Sequence, residues 1–456
     1  MDKQPKKKGR KLKIFLCVIA ALAIVITGYF LISGWAASLP KLNYTYNTDT
    51  RPAAAYPDTA FAVISDLHVY DPSLGSSGAA FEEVLYADRK LLLDSEALLD
   101  YAIADILFSS ARFVLISGDL TKDGERINHE IVAEKLSMFT ETGIKVYVVP
   151  GNHDVSNPDA VAFDGDHTTP VATVTPEEFA EIYADYGYGD ALYRDKNSLS
   201  YIAEPEDGLW ILALDACRYK ENRHGEGEIV GGKLTQETLH WIEGVLTEAI
   251  AQDKAVMALM HHGVVEHWEG QSKLHPDYLL DDYKHFGKLL ASYNVRLAFT
   301  GHYHAQDITR ADFGEKYLYD IETGSLITAP CPIRYCPISD ETFMMQSETI
   351  VDKLYPDTDF AASAEAFVKA TVVLEAYKTL KKYKVSDADA DLIADAVGDA
   401  FTAHYSGDED PALRPFLDKS KLSLWGRIVL ATQKYVLDGL WKDLLPEDNN
   451  VSFSLK

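Results

Sequence analysis

Short hydrophobic runs recur along the chain after residue 58, and their composition is typical of buried β-strands. Each run is rich in β-branched or aromatic residues and is bounded by turn-forming residues. The runs predict strands at residues 61–65, 112–117, 144–149, 209–214, 255–260, 295–300 and 316–320. Between several of them, apolar residues at helical spacing predict helices at residues 95–110, 125–142 and 235–251. Strands that alternate with helices indicate a layered α/β domain over residues 58–345.

The pattern changes after about residue 346, where the strand-like runs stop. Helical spacing continues over residues 360–383, 387–404 and 422–445, and Ser386 is a suitable N-cap for the middle segment. These segments predict a helical C-terminal subdomain over residues 346–456. Upstream, Thr175-Pro-Glu-Glu178 has the composition of a capping box and predicts a further helix start.

The N-terminus combines a basic head with an apolar stretch. Residues 1–13 carry a net charge of +6, and residues 14–33 contain no Asp, Glu, Lys or Arg. A stretch of this length can cross a bilayer core of about 30 Å, and the basic flank predicts a cytoplasmic head. We therefore expect a transmembrane anchor at residues 14–33 in the cell membrane, a tether at residues 34–57 and a body outside the cytoplasm. The alternative is a cleaved signal peptide, which would make the protein secreted.

The composition narrows the expected partners. The chain of 456 residues has a net charge of −27, which disfavours a nucleic-acid polymer because phosphate backbones bind positively charged surfaces. Cysteines are few, so no dense disulfide framework is implied, although Cys331 and Cys336 could either close a small loop or remain free thiols. The sequence leaves the oligomeric state open.

Polar side chains follow five of the predicted strands directly, at the edge where open α/β sheets bind ligands. They are Asp66 and His68, Asp119, Asn152 with His153 and Asp154, His261 with His262, and His302 with His304. Carboxylate, imidazole and amide ligands suit Zn, Mn or Fe. Residues two apart point the same way in extended backbone, so each of the two pairs spaced by one residue is expected to face one site. Two metal ions about 3.5–4 Å apart need a shared oxygen ligand, for which Asp119 is suited.

The order of these motifs, Asp-x-His, Gly-Asp, Gly-Asn-His-Asp, His and Gly-His-x-His from Asp66 to His304, resembles the calcineurin-like metallophosphoesterase superfamily. The resemblance implies a layered α/β/β/α sandwich and a metal-dependent phosphoric ester hydrolase with two metal ions. It also implies that the first metal is held by Asp66, His68, Asp119 and His304, and the second by Asp119, Asn152, His261 and His302. A hydroxide between the metals would attack phosphorus, while His153 would protonate the leaving oxygen and Asp154 would orient His153.

Adjacent strand residues point in opposite directions, so only one of His261 and His262 is expected to reach the metals. The resemblance favours His261 and leaves His262 as a neighbour that could contact the substrate. The segment from Thr323 to Tyr335 is similar to one found in anchored or secreted bacterial metallophosphoesterases, some of which are described as cyclic-nucleotide phosphodiesterases. Its Arg334 could bind a phosphate or pair with an acidic residue. Histidines outside the motifs, such as His267, are expected at the surface.

Three functions are compatible with these observations. The first is an anchored extracytoplasmic phosphodiesterase that acts on a small diester such as a cyclic nucleotide. The second is a phosphomonoesterase with the same metals. The third is a non-catalytic cell-surface module stabilised by metals, against which the intact pair His153 and Asp154 argues, because a structural metal site needs no proton donor.

Overall fold

The strands predicted from the hydrophobic runs form the centres of two sheets in the computed structural model, which describes residues 42–456. The strands are β1 (Thr59–Ile64), β2 (Phe113–Ile116), β3 (Lys145–Val148), β4 (Val161–Asp164), β5 (His167–Pro170), β6 (Tyr193–Arg194), β7 (Tyr201–Glu206), β8 (Leu209–Leu214), β9 (Ala255–Met260), β10 (Leu297–Thr300), β11 (Asp307–Phe313), β12 (Lys316–Glu322), β13 (Pro332–Ser339), β14 (Thr342–Thr349) and β15 (Asn450–Ser454).

One sheet has the strand order β15-β14-β13-β1-β2-β3, and the other has the order β11-β12-β10-β9-β8-β7-β6. The neighbours β1, β2 and β3 run parallel, as do β8, β9, β10 and β12. The strands β2, β8, β9 and β10 are buried along their whole length, which explains their continuous apolar sequences. The parallel centre of each sheet therefore delivers its loops to one edge.

The two sheets pack face to face through aromatic side chains. Phe61 on β1 meets Phe299 on β10 edge-on, with ring centroids 5.4 Å apart, and Phe299 also packs against Phe343 on β14. These rings are almost fully buried, and aromatic pairs of this geometry stabilise beyond the area they bury. The fold is thus a mixed α/β sandwich, as the sequence predicts.

Helices cover the sandwich and continue into the C-terminal segment. They are α1 (Ala79–Ala87), α2 (Ser95–Leu107), α3 (Arg126–Glu141), α4 (Pro176–Ile182), α5 (Gln236–Ala251), α6 (Gln271–Leu274), α7 (Tyr283–Ser292), α8 (Val351–Leu354), α9 (Phe360–Lys382), α10 (Asp387–Ser406), α11 (Leu424–Thr432) and α12 (Lys434–Leu440). The capping box at Thr175 is confirmed, since its side chain accepts from the Glu178 amide and Glu178 bonds back. Ser386 likewise caps α10.

The C-terminal segment differs from the prediction in two respects. The expected helix over residues 422–445 is divided into α11 and α12 at Gln433. Strands also continue beyond residue 346, because β14 extends to Thr349 and β15 pairs antiparallel with it at the sheet edge. Only alternate residues of β15 are partly buried, so this strand lacks the continuous apolar run that marks the central strands.

The structure bears differently on the predictions for the cysteine pair and for the membrane anchor. Cys331 and Cys336 are buried free thiols; Cys336 lies on the extended strand β13, and Cys331 directly precedes that strand. Within residues 42–456, no helix combines the length and apolar character needed to span a membrane. The predicted anchor at residues 14–33 lies outside the described residues and stays a prediction.

Candidate dinuclear metal centre

The loops that follow β1, β2 and β10 bring their polar residues together through left-handed backbone. Asp66, His68, Asp119, His302 and His304 all have positive φ, between 38° and 77°. Such conformations are strained for residues other than glycine and cluster at functional sites. The sequence predicts that each Asp-x-His or His-x-His pair faces one site because both residues lie in extended backbone. That reason is wrong, since the paired residues lie in left-handed loop backbone instead.

The first donor group consists of side chains whose ligand atoms lie within 4.8 Å of one another, namely Asp66, His68, Asp119 and His304. Nε2 of His68 lies 3.4 Å from Nε2 of His304 and 3.4 Å from Oδ2 of Asp119. Nε2 of His304 lies 3.3 Å from Oδ1 of Asp66. The four side chains are almost completely buried.

The second group shares Asp119 with the first and adds His261 and His302. Oδ2 of Asp119 is 3.4 Å from Nε2 of His261, the same separation it keeps from His68. Asn152 places its Oδ1 3.2 Å from Nε2 of His261. Nδ1 of His261 faces the Ser117 carbonyl at 2.8 Å, which orients the ring. Asp119 is therefore placed to bridge the two groups.

The donor set fits a pair of divalent metal ions. Two histidines that present Nε2 to each other and to carboxylates offer nitrogen and oxygen donors of the kind Zn, Mn and Fe accept. The backbone also leaves room for the carboxylates, since a Cβ at Gly151 would overlap the Asp119 side chain and a Cβ at Gly301 would overlap that of Asp66. The side chains that the resemblance assigns to two metals thus lie together.

His153 borders the donor groups, and its orientation corrects one prediction. Its Nδ1 lies 2.8 Å from Oδ1 of Asp123, which leaves Nε2 facing Asp119 at 3.9 Å. Asp154 does not contact this ring. Its carboxylate instead accepts hydrogen bonds from the amides of Leu120, Thr121 and Gly151, so it holds two loops together rather than orienting His153.

The charges of the site shift its pKa values in opposite directions. Burial lowers the pKa of His68, and the ammonium group of Lys90 lowers it further. Burial also disfavours protonation of His261, but the Asp119 carboxylate raises its pKa to about 9. At His153, the opposing effects of burial and Lys90 are outweighed by Asp119 and Asp123, and the pKa rises to about 9.

Lys90 and Asp123 are site residues that the sequence interpretation missed. Lys90 is 6% exposed, pairs with Asp88 at 2.7 Å, and acts electrostatically on Asp119, His68 and His153. It lies between α1 and α2, outside any predicted strand end. Asp123 could have been noticed as the acid of a Lys-Asp-Gly turn that follows the Gly118-Asp119 pair.

A model of the calcineurin-like phosphoesterase family matches residues 59–306, more than half of the chain. The chain belongs to this family. The matched region contains every residue of the two donor groups, and the superfamily resemblance is confirmed at this level. The similarity to anchored or secreted cyclic-nucleotide phosphodiesterases remains a prediction. No curated protein sequence matches the chain.

Solved structures of phosphatases resemble this calcineurin-like phosphoesterase at low identity. A dimetal phosphatase from Danio rerio is 17% identical with a TM-score of 0.46, and the match covers 64% of this chain and 97% of the other. A purple acid phosphatase from yellow lupin (Lupinus luteus) is 13% identical with a TM-score of 0.40. That match covers 65% of this chain and only 52% of the lupin protein.

The two side chains predicted to bind substrate are both buried and bonded to other protein groups. Arg334 is fully buried, and its guanidinium donates to Gln306 and to the carbonyls of Glu322 and Asp448, so no surface remains for a phosphate. The alternative prediction, that Arg334 pairs with an acidic side chain, is also wrong, because these hydrogen-bond acceptors are an amide oxygen and two backbone carbonyls. His262 is also fully buried, packs on the His302 ring at 4.7 Å and directs Nε2 to a carbonyl.

A cavity of about 250 Å³ is lined by residues of the C-terminal helices and by residues of the loops that precede them, and none of the donor side chains lines it. Aromatic side chains line it, including Tyr278, Tyr303, Phe401 and Tyr405. The Tyr278 ring packs against the ring of the donor His302, with centroids 4.6 Å apart.

Proposed function

We propose that this calcineurin-like phosphoesterase is a two-metal phosphodiesterase that hydrolyses a small diester, such as a cyclic nucleotide, outside the cytoplasm. The observation that carries the proposal is the shared carboxylate of Asp119, equidistant from His68 and His261 and bordered by His153. The location outside the cytoplasm is supported only by the basic head and apolar stretch of residues 1–33.

The protein's own residues supply the positioning and the proton. The chemistry supplied by two bound metal ions is activation of a water nucleophile and compensation of charge on the phosphoryl oxygens. His153 donates Nδ1–H to Asp123, and the carboxylate favours the protonated ring. Nε2 is then the atom that gives a proton to the leaving oxygen. Lys122 pairs with Asp123 and holds this acceptor in place.

Two features favour a diester over a monoester. Oε1 of Glu228 lies 3.8 Å from Nε2 of His153, so a negative group borders the expected position of the leaving oxygen. A phosphodiester carries one negative charge where a monoester carries nearly two, and it is repelled less. The aromatic-lined cavity beside His302 supports a substrate with a ring, such as a nucleobase.

The test is hydrolysis by the full chain with added Mn²⁺ and with a chelator. The substrates are p-nitrophenyl phosphate, bis-p-nitrophenyl phosphate, and 2′,3′- and 3′,5′-cyclic AMP. We expect Mn²⁺-dependent turnover that is faster on the diesters and is lost in Asp119→Asn, whereas the exposed control Asp100→Asn keeps it. Faster turnover of the monoester would favour the phosphomonoesterase, and no turnover with metals bound would favour the non-catalytic module.

The location is tested separately by protease digestion of intact cells that express the full chain. We expect the body to be cleaved without lysis. Protection of the body until the cells are lysed would contradict the extracytoplasmic part of the proposal and leave the activity untouched.

A further inference from the structure

A second cluster of acidic and histidine side chains lies under the C-terminal segment, apart from the donors described above. Asp307 begins β11, His404 lies near the end of α10, and Glu409 follows that helix. Each offers a ligand atom, and the three atoms lie within 4.8 Å of one another. The side chains are buried, with exposures of 1%, 1% and 6%.

Two polar atoms of this cluster, Nε2 of His404 and Oε2 of Glu409, have no hydrogen-bond partner anywhere in residues 42–456. Outside the three-residue group, Oε1 of Glu322 and Oδ1 of Asp443 are also without a partner in the described residues. A buried polar atom without a partner costs about 1–3 kcal/mol, and most such atoms in native proteins are satisfied by protein, water or an ion. Unpartnered nitrogen and oxygen in one buried place therefore indicate a bound ligand that accepts both.

The charges of the cluster point to a cation. Asp307 pairs with His267 at 2.6 Å, and His404 pairs with Glu409 through Nδ1. Glu322 and Asp443 add further carboxylates; burial raises the pKa of Glu322 to about 8 and that of Asp443 to about 7. The charge of the neighbouring Arg334 acts on Asp307 and Glu322, but its hydrogen bonds go to backbone carbonyls, to Gln306 and to a methionine sulfur, so it is not a direct partner of these carboxylates.

We propose that Asp307, His404 and Glu409 form a third divalent-cation site, separate from the dinuclear centre. One imidazole and two carboxylates suit Zn²⁺ or Mn²⁺, whereas Ca²⁺ takes oxygen ligands alone. Asp443 belongs to a neighbouring group with Asp408 and Asp448 and is not one of the three proposed ligands. None of these residues belongs to the dinuclear donor groups.

The site would join the C-terminal segment to the catalytic core. β11 starts at Asp307, three residues after the donor His304. His404 lies in the last turn of α10, which belongs to the C-terminal segment. Tyr303, between the donors His302 and His304, packs on the His404 ring with centroids 5.7 Å apart. A cation held here would fix the end of α10 against the strand that follows the last metal motif.

The experiment counts bound zinc. The full chain is saturated with Zn²⁺, desalted and analysed for zinc per chain by inductively coupled plasma mass spectrometry. We expect three equivalents in the unmodified chain, two in Glu409→Gln and three in the control Glu365→Gln, which alters an exposed residue of α9. The thermal midpoint of Glu409→Gln should also rise less on zinc addition.

Two equivalents in the unmodified chain would overturn the proposal, and so would three in Glu409→Gln, because the third ion would then lie elsewhere. If Glu409→Gln does not fold, the count for the unmodified chain decides between three and two. The count does not depend on hydrolysis, so this proposal can fail while the phosphodiesterase proposal stands, and the reverse.

Discussion

At the scale of single residues, the metal centre depends on side chains whose neighbours fix their direction. Asp119 adopts a left-handed backbone conformation. Its carbonyl accepts a hydrogen bond from the backbone amide of His68 at 2.9 Å, which joins the loops after β1 and β2. The sequence order identifies Asp119 and His153, but it does not identify their supports. Asp154 follows His153 directly in the sequence, whereas Asp123 is 30 residues away but contacts the His153 ring. Only the contacts in the structure show that Asp123 orients this ring and that Asp154 binds backbone amides.

Asp123→Asn and Asp154→Asn are expected to fail differently. The first removes the carboxylate that orients His153, so kcat should fall about 10–100-fold in the folded protein, and loss of the partner of the buried Lys122 should also cost some stability. The second removes an acceptor of three backbone amides and should lower the free energy of unfolding by about 1–3 kcal/mol. Steady-state kinetics and thermal unfolding distinguish them. Equal kcat in Asp123→Asn and the unmodified chain would remove Asp123 from the proton pathway.

Lys90 provides a second prediction at this scale. Its buried ammonium pairs with Asp88 and lowers the pKa of His68 and His153, and we expect its positive charge to bind a phosphoryl oxygen of the substrate. A charge-assisted hydrogen bond contributes about 1.5–3 kcal/mol, and Lys90→Met should therefore raise KM at least about tenfold. Metal content should stay the same. The control is Lys135→Met, which removes a lysine that pairs with Glu96 and Asp100; the same KM in both variants would contradict the assignment.

At the scale of elements, local signals predict starts better than ends. The capping box at Thr175 and the cap at Ser386 are local hydrogen-bond patterns, and both helices begin where the sequence indicates. The segment over residues 422–445 is continuous in its spacing, yet the structure interrupts it at Gln433. Both helices on either side of the break bury apolar side chains, such as Leu430 on α11 and Leu437 and Leu440 on α12.

The capping box offers a test of its stability contribution. Thr175→Ala removes the acceptor of the Glu178 amide and should lower the free energy of unfolding by about 1 kcal/mol. Urea unfolding measures this change. Thr168→Ala, in the exposed strand β5, is the matched control and should change stability less. A change at Thr175 no larger than the control would show that tertiary contacts alone hold α4.

At the scale of the whole molecule, the chain returns to its first sheet at its C-terminal end. β15 pairs with β14, and Phe453 stacks on Tyr319 of the other sheet at 3.8 Å while it packs on Phe343 at 5.1 Å. Along the chain, the C-terminal helices therefore lie between two paired strands of the same sheet. The last residues contribute to the core rather than to a separate helical unit.

Removal of the Phe453 ring should destabilise the whole fold. A fully buried Phe→Ala change costs about 3–5 kcal/mol, and the partly buried Phe453 should cost about 2 kcal/mol. Phe416→Ala is the control, because that ring is 90% exposed. Urea unfolding should show one shifted transition for Phe453→Ala. An unchanged midpoint, or loss of structure confined to the C-terminal helices, would contradict the role given to β15.

The sequence by itself determined the central strands, most helices and the candidate metal-binding side chains that the structure brings together, because these depend on local periodicity and on motifs at strand ends. Only the tertiary structure decided how those side chains converge, which acid supports His153, and where Arg334 and His267 lie. His267 was expected at the surface and is fully buried against Asp307, and Arg334 is enclosed by acceptors from distant segments. Such roles depend on contacts between residues far apart in the chain, and no local pattern encodes them.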